Sequence, residues 1–344
     1  MIAQAHSQVN LFPDKTGWVT SWENKALQRI LVKLGIVTYS SKYTVLQVCY
    51  LPDKYFAIRM ALFLKLFGNK LAFDYFHGDP SISPEFTHLF ASLKQRRKYF
   101  QRIRVSHSGI ETLLRDNGFE KEVFRIPIGL ELDWFPLQTP ETKKNARNKL
   151  GIPQTAVVIG SFQKDGNGWG EGREPKLIKG PDVLLKTLEI LKPKIPELFV
   201  LLTGPARSYV KNGLESLNIP YKHHYLQDYR KISIFYQALD AYLVTSREEG
   251  GPKAVLESMA SGVPLISTKV GQAQDLVEHG VNGWLSEVED TESLADNVMR
   301  VIESTSYIEV VKRKGYLTAA QNTYDSQLGL WHDFFKPLLI SSKL

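Results

Sequence analysis

Short apolar runs alternate with segments of helical periodicity along most of this 344-residue chain, and they do so in two successive series. In the first series, 45–51, 70–75, 103–106 and 123–126 read as strands, with helices at 56–67, 84–101 and 109–117 between them. The segment LQTPETKKN at 137–145 is polar and turn-rich, which suits a linker. The second series places strands at 157–161, 198–203, 241–245, 263–267 and 283–285. Helices near 181–192, 206–217, 228–239, 253–261 and 291–304 separate them. Nearly continuous apolar strands alternating with helices require parallel sheets covered on both faces. The expectation is therefore α/β, with two Rossmann-like doubly wound domains over 1–137 and 138–325.

The last stretch, 326–344, adds a helix of its own. Trp331, Phe334, Phe335, Leu338 and Leu339 follow i, i+3, i+4, i+7, i+8 spacing and make one apolar face. Pro337 is expected to kink or end that helix. Its apolar face needs a surface, and the first domain is the expected one.

Composition narrows the class. A single cysteine, Cys49, excludes an internal disulfide framework and fits a reducing, cytoplasmic setting. The N-terminal text does not read as a signal peptide. The longest apolar stretch, 57–67, is short and carries Arg59 and Lys65, so it cannot span a bilayer. The net charge of +7 is concentrated between 42 and 104, where eleven Lys/Arg face four Asp/Glu. Such a basic face suits an anionic partner. One candidate is the helix at 85–101. Phe86, Leu89, Phe90 and Leu93 share one face of it, and Lys94, Lys98 and Arg102 form a stripe. That helix either docks on anionic lipid or buries its apolar face in the domain.

The chemistry concentrates in SREEGGPKAVLESMASGVPLIS, residues 246–267. A loop leaving the carboxyl end of a parallel strand is where such sheets bind ligands. Gly250 and Gly251 permit close backbone approach, and Pro252 suits the first helical position. The amides of Lys253 and Ala254 at a helix start suit an anion such as a diphosphate. Glu249 before the helix and Glu257 within it are two-oxygen acceptors suited to hydroxyl pairs. The bland alternative is that the acids complement the helix dipole and that Gly-Gly-Pro is a tight turn.

EGGPKAVLE resembles the E-x7-E motif of the retaining glycosyltransferases of family 4, which have the GT-B fold. SMASGVPLI continues that family's pattern, and GVNGWL at 280–285 matches its GxNGxL. VGQAQD at 270–275 matches its vGGxxE except at Gln272 and Asp275. The resemblance implies two domains facing across a cleft and a C-terminal segment returning to the first. It implies that Glu257 holds ribose hydroxyls, that Glu249 holds the sugar ring, and that residues from Gly250 to Ala254 supply backbone contacts. Lys179-Gly180 matches its KG, a cation for the donor diphosphate. Ser161 stands where the family has arginine. Lys164 is the candidate second cation, with Arg173 behind it, and the glycines 166, 168, 170 and 172 form a flap. Gly204 matches a cleft-lining glycine, and Tyr225 with Leu226 falls where the nucleobase is held. In the first domain, the glycine-rich turn is reduced to Gly17. His77, in DYFHGDP, occupies the place of a histidine near the transferred sugar, on the acceptor side.

These readings imply retaining transfer of a hexose from a nucleotide diphosphate sugar to a glycan or lipid-linked hydroxyl, in cell-surface polysaccharide or glycolipid synthesis. Glu249, His77 and Lys179 form the catalytic set. The sequence has no DxD metal motif, so lysines and helix dipole take the place of a divalent ion on the departing phosphate, with no metal and no cofactor. The alternative in another class is a non-catalytic nucleotide-sugar or glycan-binding protein. An epimerase lacks an identifiable acid/base pair here, and no aromatic-interleaved motif supports nucleic-acid binding.

Overall fold

The computed structural model describes residues 8–13, 19–40, 48–168 and 170–339. Gly17, read from the sequence as an acceptor-side glycine, lies outside the described residues, as do 45–47 of the first strand expected from the sequence. Two compact units emerge. The first holds the chain up to Gly129 together with Tyr324 onward, and the second holds Leu130–Thr323.

In the first unit, β1 (Gln8–Leu11), β2 (Val37–Tyr39), β3 (Val48–Leu51), β4 (Lys70–Asp74), β5 (Phe100–Val105) and β6 (Val123–Arg125) form one sheet. It is parallel throughout, in the order β2-β1-β3-β4-β5-β6. One face is covered by α1 (Val19–Lys33). The other carries α2 (Lys54–Leu66), α3 (Pro84–Arg96) and α4 (Ser108–Asp116). Asp53 caps α2 by accepting from the amides of Tyr55 and Phe56, and Ser83 caps α3 with Pro84 in its first turn.

Three expectations meet the structure here. The helix read over 84–101 ends at Arg96, passes through a 3-10 turn at Arg97–Tyr99 and gives way to β5 at Phe100. The face of Phe86, Leu89, Phe90 and Leu93 is core, buried against the sheet, so it is not a lipid-facing surface. The C-terminal helix Leu328–Leu339 carries Pro337 inside its last turn without ending there, although the proline has no N–H to give to the preceding turn. Trp331, Phe334, Phe335 and Leu338 are buried with Leu27, Ile30, Leu31 and Tyr50, which seats this helix on the α1 side of the sheet.

A buried charge cluster pins that layer. The Arg104 guanidinium lies 3.0 Å from Glu23 and 3.6 Å from Asp74, and donates to the carbonyls of Ile126 and Pro127. The hydroxyls of Tyr50 and Tyr324 donate to Asp74 and Glu23. Burial lifts the Asp74 carboxyl to about 7, against the pull of Arg104.

In the second unit, α5 (Pro140–Leu150) forms where the sequence suggested a linker. Thr139 and Thr142 cap it reciprocally, Pro140 starts it and Gly151 ends it in the left-handed region. Then come β7 (Val157–Ser161), α6 (Pro181–Leu191), β8 (Leu198–Thr203), α7 (Ser208–Ser216), β9 (Tyr221–His224), α8 (Ser233–Gln237) and β10 (Ala241–Val244). They are followed by α9 (Lys253–Ala260), β11 (Leu265–Thr268), α10 (Ala273–Leu276), β12 (Trp284–Ser286), α11 (Thr291–Glu303) and α12 (Thr305–Gln321). The parallel sheet runs β12-β11-β10-β7-β8-β9. Chain order reverses between β7 and β10, so the loops leaving those two strands flank the topological switch point, where such sheets place ligands.

Candidate functional site

Both switch-point loops carry residues singled out from the sequence. After β10, Glu249 is nearly buried and its Oε2 lies 2.6 Å from Lys179 Nζ. Ser246 Oγ donates to its other oxygen at 2.8 Å. Lys179 thus sits on the carboxylate assigned to the sugar.

Two glycines make this meeting possible. Gly180 has φ +62°, and a Cβ there would stand 1.9 Å from the Thr245 carbonyl oxygen. The Thr245 hydroxyl in turn donates to the Gly180 carbonyl at 2.9 Å. On the other side Gly271, at φ +50°, approaches Glu249 so closely that a Cβ would lie 2.8 Å from its carbonyl oxygen. The 245–249 segment is therefore clamped between backbone that only glycine can supply. Arg247 adds a third tie, bidentate to Asp182 at 2.9 and 2.7 Å.

Gly250 and Gly251 are buried, and Pro252, Lys253 and Ala254 are half-buried. Pro252 is the N-cap of α9 (φ −65°, ψ 113°) rather than its first helical residue, because its ψ stays extended; Lys253 opens the helix. Pro252 itself supplies no side-chain cap to this end. Glu257, inside α9, is 2% exposed. Its Oε2 accepts from the Tyr236 hydroxyl at 2.8 Å, while its buried Oε1 has no hydrogen-bond partner among the described residues. Burial pushes its carboxyl up to about 8. An acceptor so placed is costly unless something donates to it. Tyr236 packs edge-on to Phe162 and tilted on Tyr242, whose hydroxyl oxygen accepts from the Phe162 amide at 2.9 Å. The α9 carboxylate is thus tied to the loop after β7.

That loop carries Lys164, half-buried. Its neighbour Gln163 donates to the Lys179 carbonyl at 2.9 Å. In the glycine-containing segment beyond, Gly166 makes an antiparallel bridge to Pro175. Glu171 and Gly172 present their carbonyls to the amides of Ser208 and Tyr209, capping α7. Arg173 pairs with Glu171 at the exposed tip. Arg207, which the sequence reading missed, is 1% exposed and donates to the carbonyls of Ser161, Gln163 and Thr203. It pairs with the equally buried Asp165 at 3.1 Å. Nothing in the local sequence marks this pair. Its partners gather only when the strand ends do.

Gly204, at φ +89°, packs against the Gln163 carbonyl, and its own carbonyl bonds His223 Nε2 at 2.7 Å. Burial lowers the His223 pKa below its usual value. Tyr225 is 68% exposed, whereas Leu226 packs on the core. In the first unit, the His77 ring stands edge-on to Phe86 at 5.8 Å, and its carbonyl accepts from Lys54 Nζ.

Solved structures share this architecture. HepE of Anabaena, in complex with UDP and glucose, superimposes with a TM-score of 0.76 at 18% identity, covering 96% of this chain and 100% of that one. Sucrose-phosphate synthase of Thermosynechococcus elongatus gives 0.72 at 16% identity, covering 94% of this chain and 79% of that one. The fold is GT-B. Residues 174–318 match the model of a family described as glycosyl transferases group 1.

Among curated relatives, a D-inositol 3-phosphate glycosyltransferase of Corynebacterium urealyticum is 29% identical over 195 residues, 53% of this chain and 44% of the relative. A lipopolysaccharide core biosynthesis mannosyltransferase, LpsB of Rhizobium meliloti, is 24% identical over 200 residues, 56% of this chain and 54% of the relative. A putative teichuronic acid biosynthesis glycosyltransferase, TuaC of Bacillus subtilis, is 30% identical over 179 residues, 51% and 40%. The chain therefore spans about half the length of the curated relatives it matches.

Proposed function

We propose that this chain transfers a hexose from a nucleotide diphosphate sugar to an acceptor hydroxyl with retention of configuration. The observation that carries this is the switch-point arrangement of a Lys179–Glu249 pair beside Glu257, whose buried Oε1 awaits a donor. A ribose hydroxyl supplies that donor. Lys179, Lys164 and the start of α9 take the diphosphate, and Gly204, Tyr225 and Leu226 flank the base. Developing negative charge on the leaving diphosphate is met by fixed cations and amides, with no metal required. Same-face attack then lets the leaving phosphate accept the acceptor's proton, with Glu249 on the sugar ring and His77 on the acceptor side.

The acceptor is a glycan or a lipid-linked hydroxyl in cell-surface polysaccharide or glycolipid synthesis. LpsB and TuaC, named for lipopolysaccharide core and teichuronic acid biosynthesis, support this setting. The work is cytoplasmic, with peripheral contact at an anionic membrane. No helix among the described residues is long and apolar enough to cross a bilayer.

A panel of nucleotide diphosphate sugars tests the reading by thermal shift and then by transfer, with and without chelator. A true donor at 100 times its Kd stabilises by about 2.7 kcal/mol. The anomeric proton coupling of the product reports retention. No stabilisation and no donor turnover across the panel overturns it.

A further inference from the structure

The outward face of α2 is apolar where a surface helix is normally polar. Ala57, Ile58, Ala61 and Leu64 pack into the core, which leaves Leu62, Phe63, Leu66 and Phe67 at 50, 52, 76 and 43% exposure. The rings of Phe63 and Phe67 meet edge-on at 4.9 Å, so these side chains form one patch at the C-terminal end of the helix. A contiguous apolar patch that no described residue covers is the mark of an interaction surface.

Charge says what covers it. Arg59 shares the exposed face. The 3-10 turn Arg97–Tyr99 packs against α2 and brings exposed Lys98 to it, one turn beyond exposed Lys94 on α3. Near the 3-10 turn Glu122 is already paired with Arg97 at 3.1 Å, and two further acids lie at the opposite end of α2. Asp53 caps the α2 N-terminus, and Glu85, at the start of α3, accepts from the Tyr55 hydroxyl. A second copy of the chain docked through this patch would set Arg59 and Lys98 against their own images, with the nearby Glu122 already held by Arg97. An apolar centre with a basic border fits the headgroup–acyl boundary of an anionic bilayer, where Leu and Phe enter and Lys and Arg meet phosphate.

We propose that α2 is the membrane-docking helix of this protein, with Leu62, Phe63, Leu66 and Phe67 inserting into anionic lipid and Arg59, Lys94 and Lys98 holding the headgroups. This rests on the membrane-contact part of the reading above and is independent of glycosyl transfer. It moves the contact from α3, whose apolar face is core, to the neighbouring helix.

The test is co-sedimentation of the full chain with phosphatidylglycerol–phosphatidylcholine vesicles and with pure phosphatidylcholine vesicles, at low and high salt. The wild type is expected to partition onto the anionic vesicles and to be released by salt. The Phe63→Ser, Leu66→Ser double variant should partition about tenfold less, since two large apolar side chains no longer leave water. The Lys94→Glu, Lys98→Glu variant should lose most of the salt-sensitive part. Nucleoside diphosphate affinity, measured by calorimetry, should be unchanged in both and doubles as the folding control. Wild type that ignores anionic vesicles, or a serine double variant that binds them as well as wild type, overturns the proposal. So does a salt-insensitive wild-type dimer that the serine variant dissolves, which would make the occupant a second copy. Donor binding persisting without vesicle binding separates failure here from failure of the transferase reading.

Discussion

Lys179 Nζ lies 2.6 Å from Glu249 Oε2, so a cation assigned to the diphosphate and a carboxylate assigned to the sugar neutralise each other when no donor is present. Each holds the other in place, and on the function proposed above each would change partner when a donor arrives. On that function the diphosphate would compete with Glu249 for the lysine, and the sugar hydroxyls would replace the lysine on Glu249. Diphosphate binding and presentation of the carboxylate would in this way be one event.

Lys179→Ala should therefore weaken donor binding and turnover while leaving the fold intact, since the side chain contributes charge rather than packing. Losing one charge-assisted contact should cost about 1.5–3 kcal/mol. Calorimetric titration with nucleoside diphosphate and steady-state turnover of the folded variant check this. Unchanged kinetics would remove Lys179 from the diphosphate.

Glu249→Gln separates the two partners. The amide keeps the shape and frees Lys179, so nucleoside diphosphate should bind at least as tightly as to wild type. Turnover should fall, because a charged acceptor near the reacting carbon tightens as the ring flattens. A variant that loses diphosphate affinity but keeps its rate would place Glu249 away from the sugar.

Gly180→Ala tests the clamp. A Cβ 1.9 Å from a backbone oxygen, at a left-handed φ, forces either Lys179 or the 245–249 segment out of place. The expected cost is more than about 2 kcal/mol in denaturant unfolding, with donor binding lost even where the protein remains folded. Wild-type stability and binding in this variant would mean that the loop moves freely.

How much of this was legible in the text of the chain depends on what each element hides. The buried strands β7 and β8 follow from their apolar runs residue for residue, because nothing but burial on both faces explains VVIGS and LFVLLT. The edge strand β9, Tyr221–His224, was invisible, since its polar, half-exposed side chains give no apolar run. The helix α5 hid behind its own capping signal, Thr139-Pro140, which also reads as a turn. At the site, spacing marked Glu249 and Glu257, and the resemblance to the KG motif marked Lys179. Gln163, Arg207 and Tyr236 come from three different elements and act only through tertiary contact, so no local pattern names them. Gly271 was legible as part of a motif, but its job of admitting the Glu249 backbone needed coordinates.

Arg104→Met addresses the first unit. Removing the guanidinium leaves Glu23 and Asp74 buried without their cation, a change expected to cost about 3–5 kcal/mol. The variant should unfold at distinctly lower denaturant, with the transition sensitive to pH near neutrality as Asp74 takes up a proton. An unaltered unfolding curve would show that the cluster is not coupled to stability.

Glu257 gives the most discriminating pH experiment. Burial raises its carboxyl from 4.5 to about 8, and its Oε1 stands without a donor. Between those pH values the unfolded chain has released a proton that the folded chain retains. Stability of the donor-free protein should therefore fall as pH rises from about 5 to about 8. Glu257→Gln abolishes this proton release, so its stability should be flatter over the window, and at pH 8 it should exceed wild type. Binding runs the other way. Two ribose hydroxyls favour the ionised carboxylate, so wild-type nucleoside diphosphate affinity should climb with pH toward about 8, with proton release on binding. The glutamine variant should bind more weakly and without that slope. Taking the difference between wild type and variant cancels other titrating groups, His223 among them. Calorimetry in buffers of different ionisation enthalpy measures the proton release, and melting curves across the same pH range measure the stability. A wild type whose stability is level over this range, or whose binding releases no proton that the variant lacks, would mean that Glu257 is a structural acid and that the ribose is held elsewhere.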